Sequence, residues 1–148
     1  MIHKFFDELI EAVEDTPNDL LTRGRAITYN GEVCAIGAYA YAKDPQFREV
    51  TDALRAGDQS RTPLSVDTIP YELLDKVSKT LGIEDLAVEV FHANDDALLS
   101  NPLNTKTAIV KALRKLQEKL IIQEVIKTVQ ETPAEFLTHG EPVTNNRG

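Results

Sequence analysis

From Asn104 to Thr132 the chain runs without a proline or a glycine, about eight turns at the 3.6 residues per turn of an α-helix. Ile109, Leu113, Leu116 and Leu120 recur along it at four-, three- and four-residue spacings, the period of a helix with one apolar face. Asn104 stands where a side chain can cap the first turn. Asn101-Pro102 separates the segment from what precedes it, and Thr132-Pro133 ends it. One element of this length commits a chain of 148 residues to a largely helical architecture.

The earlier segments agree with that commitment. Phe5, Phe6, Leu9, Ile10 and Val13 form a helical stripe opposed by Asp7, Glu8, Glu11, Glu14 and Asp15, and Thr16-Pro17-Asn18 closes it. Residues 18–31 read as a connector with a short extended piece at 26–29, and Asn30-Gly31 is a turn signal. Val33–Ala42 alternates tyrosines with alanines. Alanine favours helices and is depleted in strands, so the segment predicts a tightly packed helix in which Gly37 lets a neighbouring helix approach closely. Asp44-Pro45 opens a helix to Arg55, residues 56–63 read as a loop, and a helix over 67–81 stops at Gly82. Ile83–Asn94 reads as a further helix, although Ala87–Phe91 is also compatible with a strand.

These segments predict an all-α domain of five or six helices over residues 1–137. A minor extended or hairpin element lies near 26–33, a long helix sits at the C-terminal end, and residues 138–148 form a polar tail. Hydrophobic residues make up 42% of the chain, enough for a real core, and at 6% aromatic with no tryptophan that core is aliphatic. Sixteen basic residues face 24 acidic ones, a balance that repels phosphate backbones and argues against direct nucleic-acid or anionic-membrane binding. No apolar run approaches the roughly 20 residues needed to span a bilayer, and the acidic N-terminal segment lacks the apolar centre of a signal peptide. A cytoplasmic location is the expectation.

Cys34 is the sole cysteine, which excludes an internal disulfide and a multi-cysteine zinc site. It follows an Asn-Gly turn where a helix can begin, and a helix N-terminus lowers a thiol pKa. The order Cys34, His92, Asn94 therefore defines a candidate nucleophile, base and orienting amide for a small hydrolase or transferase. Against this, Val33, Ala35 and Ile36 surround Cys34 as they would a buried small hydrophobe. On a helix His92 faces Asp95 and Asp96 at three- and four-residue spacing, a geometry that orients an imidazole or begins a metal site. The other histidines, His3 and His139, lie far away in sequence, so no metal and no cofactor is expected. Asn94 and Asp95 are instead expected to end a helix or hold a turn. Phosphate loops, nucleophile elbows and calcium loops are absent.

Gly31–Ala38 and Phe91–Asp95 together resemble a family of small uncharacterised helical domains of actinobacteria and their phages. That family pairs a Cys-x-x-Gly-Ala segment, here Cys34 to Ala38, with a later aromatic residue close to an Asn-Asp pair and a final helix. Here His92 and Ala93 separate Phe91 from Asn94, where the family places a tryptophan directly before the asparagine. The resemblance implies a fold and an origin, not a reaction. It also implies that Asn94 hydrogen-bonds backbone groups beside Gly37.

The last helix carries a second signal. Residues 106–127 hold six basic side chains against Glu118 and Glu124, whereas residues 4–15 hold Lys4 against five acids. These helices could lie together within a chain or between two, but the favoured reading is a solvated face, because exposed pairs contribute little. Past the core-facing stripe, Leu120, Ile121, Ile122, Val125, Ile126 and Val129 exceed what a small core needs, and such a surplus marks association. The leading expectation is a non-enzymatic protein-interaction module, an accessory protein of phage origin that acts on a host protein or self-associates as a homodimer through this helix. The alternatives are the Cys34–His92 enzyme and an acidic DNA mimic built from the acids of 7–19 and 84–96.

Overall fold

In the computed structural model, which describes residues 1–101 and 103–131, the fold is all-α. The described residues form six α-helices: α1 (Ile2–Glu14), α2 (Ala35–Lys43), α3 (Pro45–Arg55), α4 (Ile69–Leu81), α5 (Leu86–Ser100) and α6 (Thr105–Glu131). Short 3₁₀ turns occupy Asn18–Leu20 and Pro63–Ser65. There is no strand among the described residues. In the region expected to be extended, Val33 makes an antiparallel bridge to Ile27 and a parallel one to Leu21. A tight turn, with the Gly31 N–H donating to the Thr28 carbonyl at 3.0 Å, closes this small hairpin.

Local chemistry accounts for the helix ends. Asp44 caps α3 by accepting from the Phe47 N–H at 2.8 Å, and Pro45 fills the first position, where its missing N–H has no cost. Gly82 adopts φ +69° and stops α4 in the left-handed conformation that glycine supplies. The main difference from expectation is α5. It contains no strand over 87–91 and does not end at Asn94 but continues to Ser100. Asn94 and Asp95 therefore sit inside a helix, where their side chains are free to reach other parts of the chain.

Packing divides the protein into two compact units, Met1–Gln117 and a second that opens at Glu118, of which residues 118–131 are described. The expected stop at Thr132-Pro133 and the tail from 138 lie outside the described residues.

Helix α2 is the centre of the first unit, touching α1, α3, α4 and α5. Every residue from Val33 to Ala40 is buried, so this helix is apolar all round, as its composition requires. Alanine and glycine let its neighbours come close. At Gly37 the neighbour is not a helix, as expected, but the loop ahead of α2: a Cβ there would fall on the Ala26 carbonyl oxygen and lie 2.9 Å from Val33 Cβ. On the opposite side Phe5, Phe6, Leu9, Ile10 and Val13 of α1 are at most 5% exposed. The Phe5 ring meets Tyr39 of α2 edge-on at 5.3 Å, a geometry worth about 0.5–1.5 kcal/mol beyond burial.

One exposed ion pair and a few hydrogen bonds join the first helix to the first part of the last. Arg114 reaches Asp7 at 3.3 Å, and the Lys106 ammonium donates to the Glu14 carbonyl at 2.8 Å. Asn18 accepts from the Lys106 backbone N–H at 3.0 Å, satisfying one open donor of the first turn of α6. His3 and Gln117 continue the series at 3.1 Å, so α1 and the first part of α6 run antiparallel.

The Ala26 contact yields a sharp test. Gly37→Ala should destabilise by about 1–3 kcal/mol, where the same change in an ordinary helix interior stabilises by about 1 kcal/mol, because the obstacle is backbone that cannot rotate away. Urea unfolding of the variant checks this, and a neutral or stabilising change would show that the Ala26 loop yields.

Candidate functional site

The residues singled out in the sequence converge around the N-terminal end of α2, and Asn94 organises them. It is 0% exposed. Its Oδ1 accepts from the Ala35 N–H, the first of α2, at 3.0 Å, and its Nδ2 donates to the Thr22 carbonyl at 3.0 Å. The amide orientation is fixed by this pair, since one partner can only donate and the other only accept. Asp95 extends the arrangement. Both of its carboxylate oxygens accept from the Gly24 N–H at 3.2 Å, and Asn94 Nδ2 donates to its Oδ1 at 3.2 Å. Two adjacent side chains of α5 thus hold the loop over residues 22–24 and the start of α2, residues 59 to 72 positions away in sequence. The bond expected beside Gly37 falls two residues earlier, on Ala35.

Cys34 occupies the N-cap position of α2, as its place in the sequence implied. The backbone N–H groups of Gly37 and Ile36 point toward its sulfur and favour the thiolate, the effect that activates cysteines at helix ends. Burial opposes them and wins. The residue is 0% exposed, and desolvation, reinforced by the nearby Asp95 carboxylate, pushes the thiol up to about 12. His92 lies on the exposed side of α5, beside Phe91 at 6.5 Å between ring centroids. No hydrogen bond joins it to Cys34 among the described residues, and Asp95, its expected partner, is turned to Gly24. Of Cys34, His92 and Asn94, the structure brings the cysteine and the asparagine to the same helix end and leaves the histidine outside.

Surface cavities of about 480, 250 and 200 Å³ exist, and none of the three is lined by Cys34, His92 or Asn94. The smallest of the three borders the loop that Asp95 holds, with Gly24, Ile27, Asp67 and Tyr71 in its wall. Burial first, then the Cys34, Asp95 and Asp67 groups, raises the Tyr71 phenol, keeping it neutral. Among the described residues no three His, Cys, Asp or Glu side chains gather as a metal-binding group. No helix of the described residues is long and apolar enough to cross a membrane. Of the acids proposed to imitate DNA, Asp7 and Glu8 are engaged with Arg114 and Lys43, and Asp95 accepts from the Gly24 N–H. Gly24 and Thr22 contribute only backbone groups, so nothing in their side chains marked them in advance.

The C-terminal half of α6 is different in kind. Leu120, expected on the association surface, is 3% exposed and so is unavailable to a partner, and Ile121 is half-buried. Ile122, Val125, Ile126 and Val129 are 60, 58, 51 and 51% exposed. At about 100° per residue these four share one arc, and Leu120 lies about 160° away from Ile122.

The chain matches no family model, no curated protein and no solved structure in three comparisons.

Two measurements address the Asn94 centre. Asn94→Ala strands the Ala35 N–H and the Thr22 carbonyl in the interior and should cost roughly 2–5 kcal/mol, against about 1 kcal/mol for Asp95→Ala. Equal losses in chemical denaturation would refute the hierarchy. Adding a divalent cation should not change the melting temperature of either variant relative to the parent.

The thiol gives a pH test. A group whose folded pKa lies near 12 against 9.0 in the unfolded chain contributes stability in full below pH 9 and loses it as pH rises toward 12, because the unfolded state then releases a proton that the folded state retains. The native protein should resist thiol reagents at neutral pH. Cys34→Ala should reduce the fall in stability above pH 9, and rapid labelling of the folded parent would overturn this account.

Proposed function

We propose that this protein is a non-enzymatic interaction module that engages another protein through the apolar face of the C-terminal half of α6. The observation that carries the reading is the four-residue stripe Ile122, Val125, Ile126 and Val129, each at least 51% exposed. Isolated exposed apolar residues are ordinary on protein surfaces. Four of them aligned on one helical arc make a contiguous patch of the kind that marks interfaces, and an amphipathic helix presenting i, i+3, i+4 and i+7 anchors is a standard recognition element. Covering a half-exposed Ile or Val gains about 0.8–1.5 kcal/mol, half the value for complete burial. The buried, high-pKa thiol and the separation of Cys34 from His92 weigh against the hydrolase or transferase alternative.

The test is a double substitution, Ile122→Glu with Ile126→Glu, read by light scattering and by urea unfolding. The variant should keep the parent's unfolding midpoint within about 0.5 kcal/mol, as surface changes do, while losing association. A variant that unfolds would show that these residues belong to the protein's own core and would end the proposal.

A further inference from the structure

The geometry points to a second copy of this chain as the occupant of the stripe, paired antiparallel with it. This rests on the reading of the stripe as an interaction face and adds the partner and its orientation. The first argument is the order of side chains. Along the stripe the residues run Ile122, Val125, Ile126, Val129. An antiparallel partner centred between residues 125 and 126 sets Ile122 against Val129 of the second copy and Val125 against Ile126, so every layer combines one isoleucine with one valine. A parallel, in-register pair instead stacks isoleucine on isoleucine and valine on valine, alternately crowding and loosening the seam.

Charge decides in the same direction. Glu118 is exposed and, at 100° per residue, lies on the arc of the stripe one turn before Ile122. In a parallel pair the two Glu118 carboxylates meet across the seam, and like charges in direct opposition are unfavourable. In the antiparallel pair they stand at opposite ends, about 20 Å apart at 1.5 Å per residue and beyond the screening length of about 8–10 Å at physiological salt. The stripe is also its own complement under a twofold axis, as an isologous interface demands. Eight half-exposed Ile and Val side chains are a small interface beside the roughly 1,200–2,000 Å² of stable complexes. The dimer is therefore weak and concentration-dependent.

Cys34 makes the experiment clean, because the only native thiol is fully buried. Ile122→Cys and Val129→Cys are prepared as separate full-length variants, one of them carrying a mass tag, and oxidised mildly alone and as a mixture. A disulfide needs Cα atoms about 4.4–6.8 Å apart, and in the antiparallel pair equivalent cysteines are about 10 Å out of register along the axis. Antiparallel pairing predicts that each variant alone stays uncrosslinked while the mixture yields the mixed-mass dimer. The parent's mass by light scattering should rise from monomer toward dimer between about 10 μM and 1 mM, a range matching free energies of about −7 to −4 kcal/mol, and Ile122→Glu should weaken that transition at least tenfold. Crosslinking of each variant alone overturns the orientation. A parent that stays monomeric to 1 mM overturns self-pairing, yet leaves the interaction face standing if Ile122→Glu remains folded. An unfolded Ile122→Glu removes the face and the pairing together.

Discussion

The architecture depends on satisfying a helix end buried at its centre. Helix α2 is surrounded by four others, so the free N–H groups of its first turn have no access to water, and each would cost about 1–3 kcal/mol if left unmade. The Ile36 and Gly37 N–H groups face the Cys34 sulfur, and the Ala35 N–H donates to the Asn94 side chain at 3.0 Å. Only an uncharged amide suits the second task. It accepts from α2 with one atom and donates to the Thr22 carbonyl with the other. A carboxylate cannot donate and would carry an unpaired charge into the core. The acid is placed one residue later, where Asp95 is half-exposed and its oxygens meet the Gly24 N–H.

Cys34 shows two familiar effects in competition at the same helix end. Proximity to N–H groups favours the thiolate, and removal from water disfavours it far more. The position of a cysteine along a helix is legible in a sequence; the depth at which that helix lies is not, and here depth decides the chemistry. The flanking Val33, Ala35 and Ile36 were the better guide, because they report burial on every side.

Much of the fold could be read in advance because its signals are local. Pro17, Asp44-Pro45, Gly82 and the stripes of α1 and α6 each act within a few residues, and the structure places helix ends close to all of them. The extent of α5 could not, since Asn94-Asp95 reads locally as a helix stop, and only the pull of Ala35, Thr22 and Gly24 reveals why polar side chains sit inside that helix. Likewise the small size of Gly37 announced a close approach, but which backbone approaches depends on the path of the loop through Ala26. In the last helix, the consecutive Leu120, Ile121 and Ile122 cannot share one face. The structure resolves them into one buried, one half-buried and one exposed side chain, so part of that surplus was readable from periodicity alone.

The bonds at Asn94 also tie together stretches of chain that are far apart in sequence. Helical proteins fold fast because their contacts are local, and rates fall as contacting residues move apart along the chain. Here the start of the central helix waits for a side chain 59 residues downstream, and the loop before it waits for one 72 residues away. A ribosome adding about 5–20 residues each second therefore leaves α2 and its preceding loop incomplete for several seconds, with apolar surface uncovered, until α5 has emerged. The start of α2 is thus completed only once α5 is present.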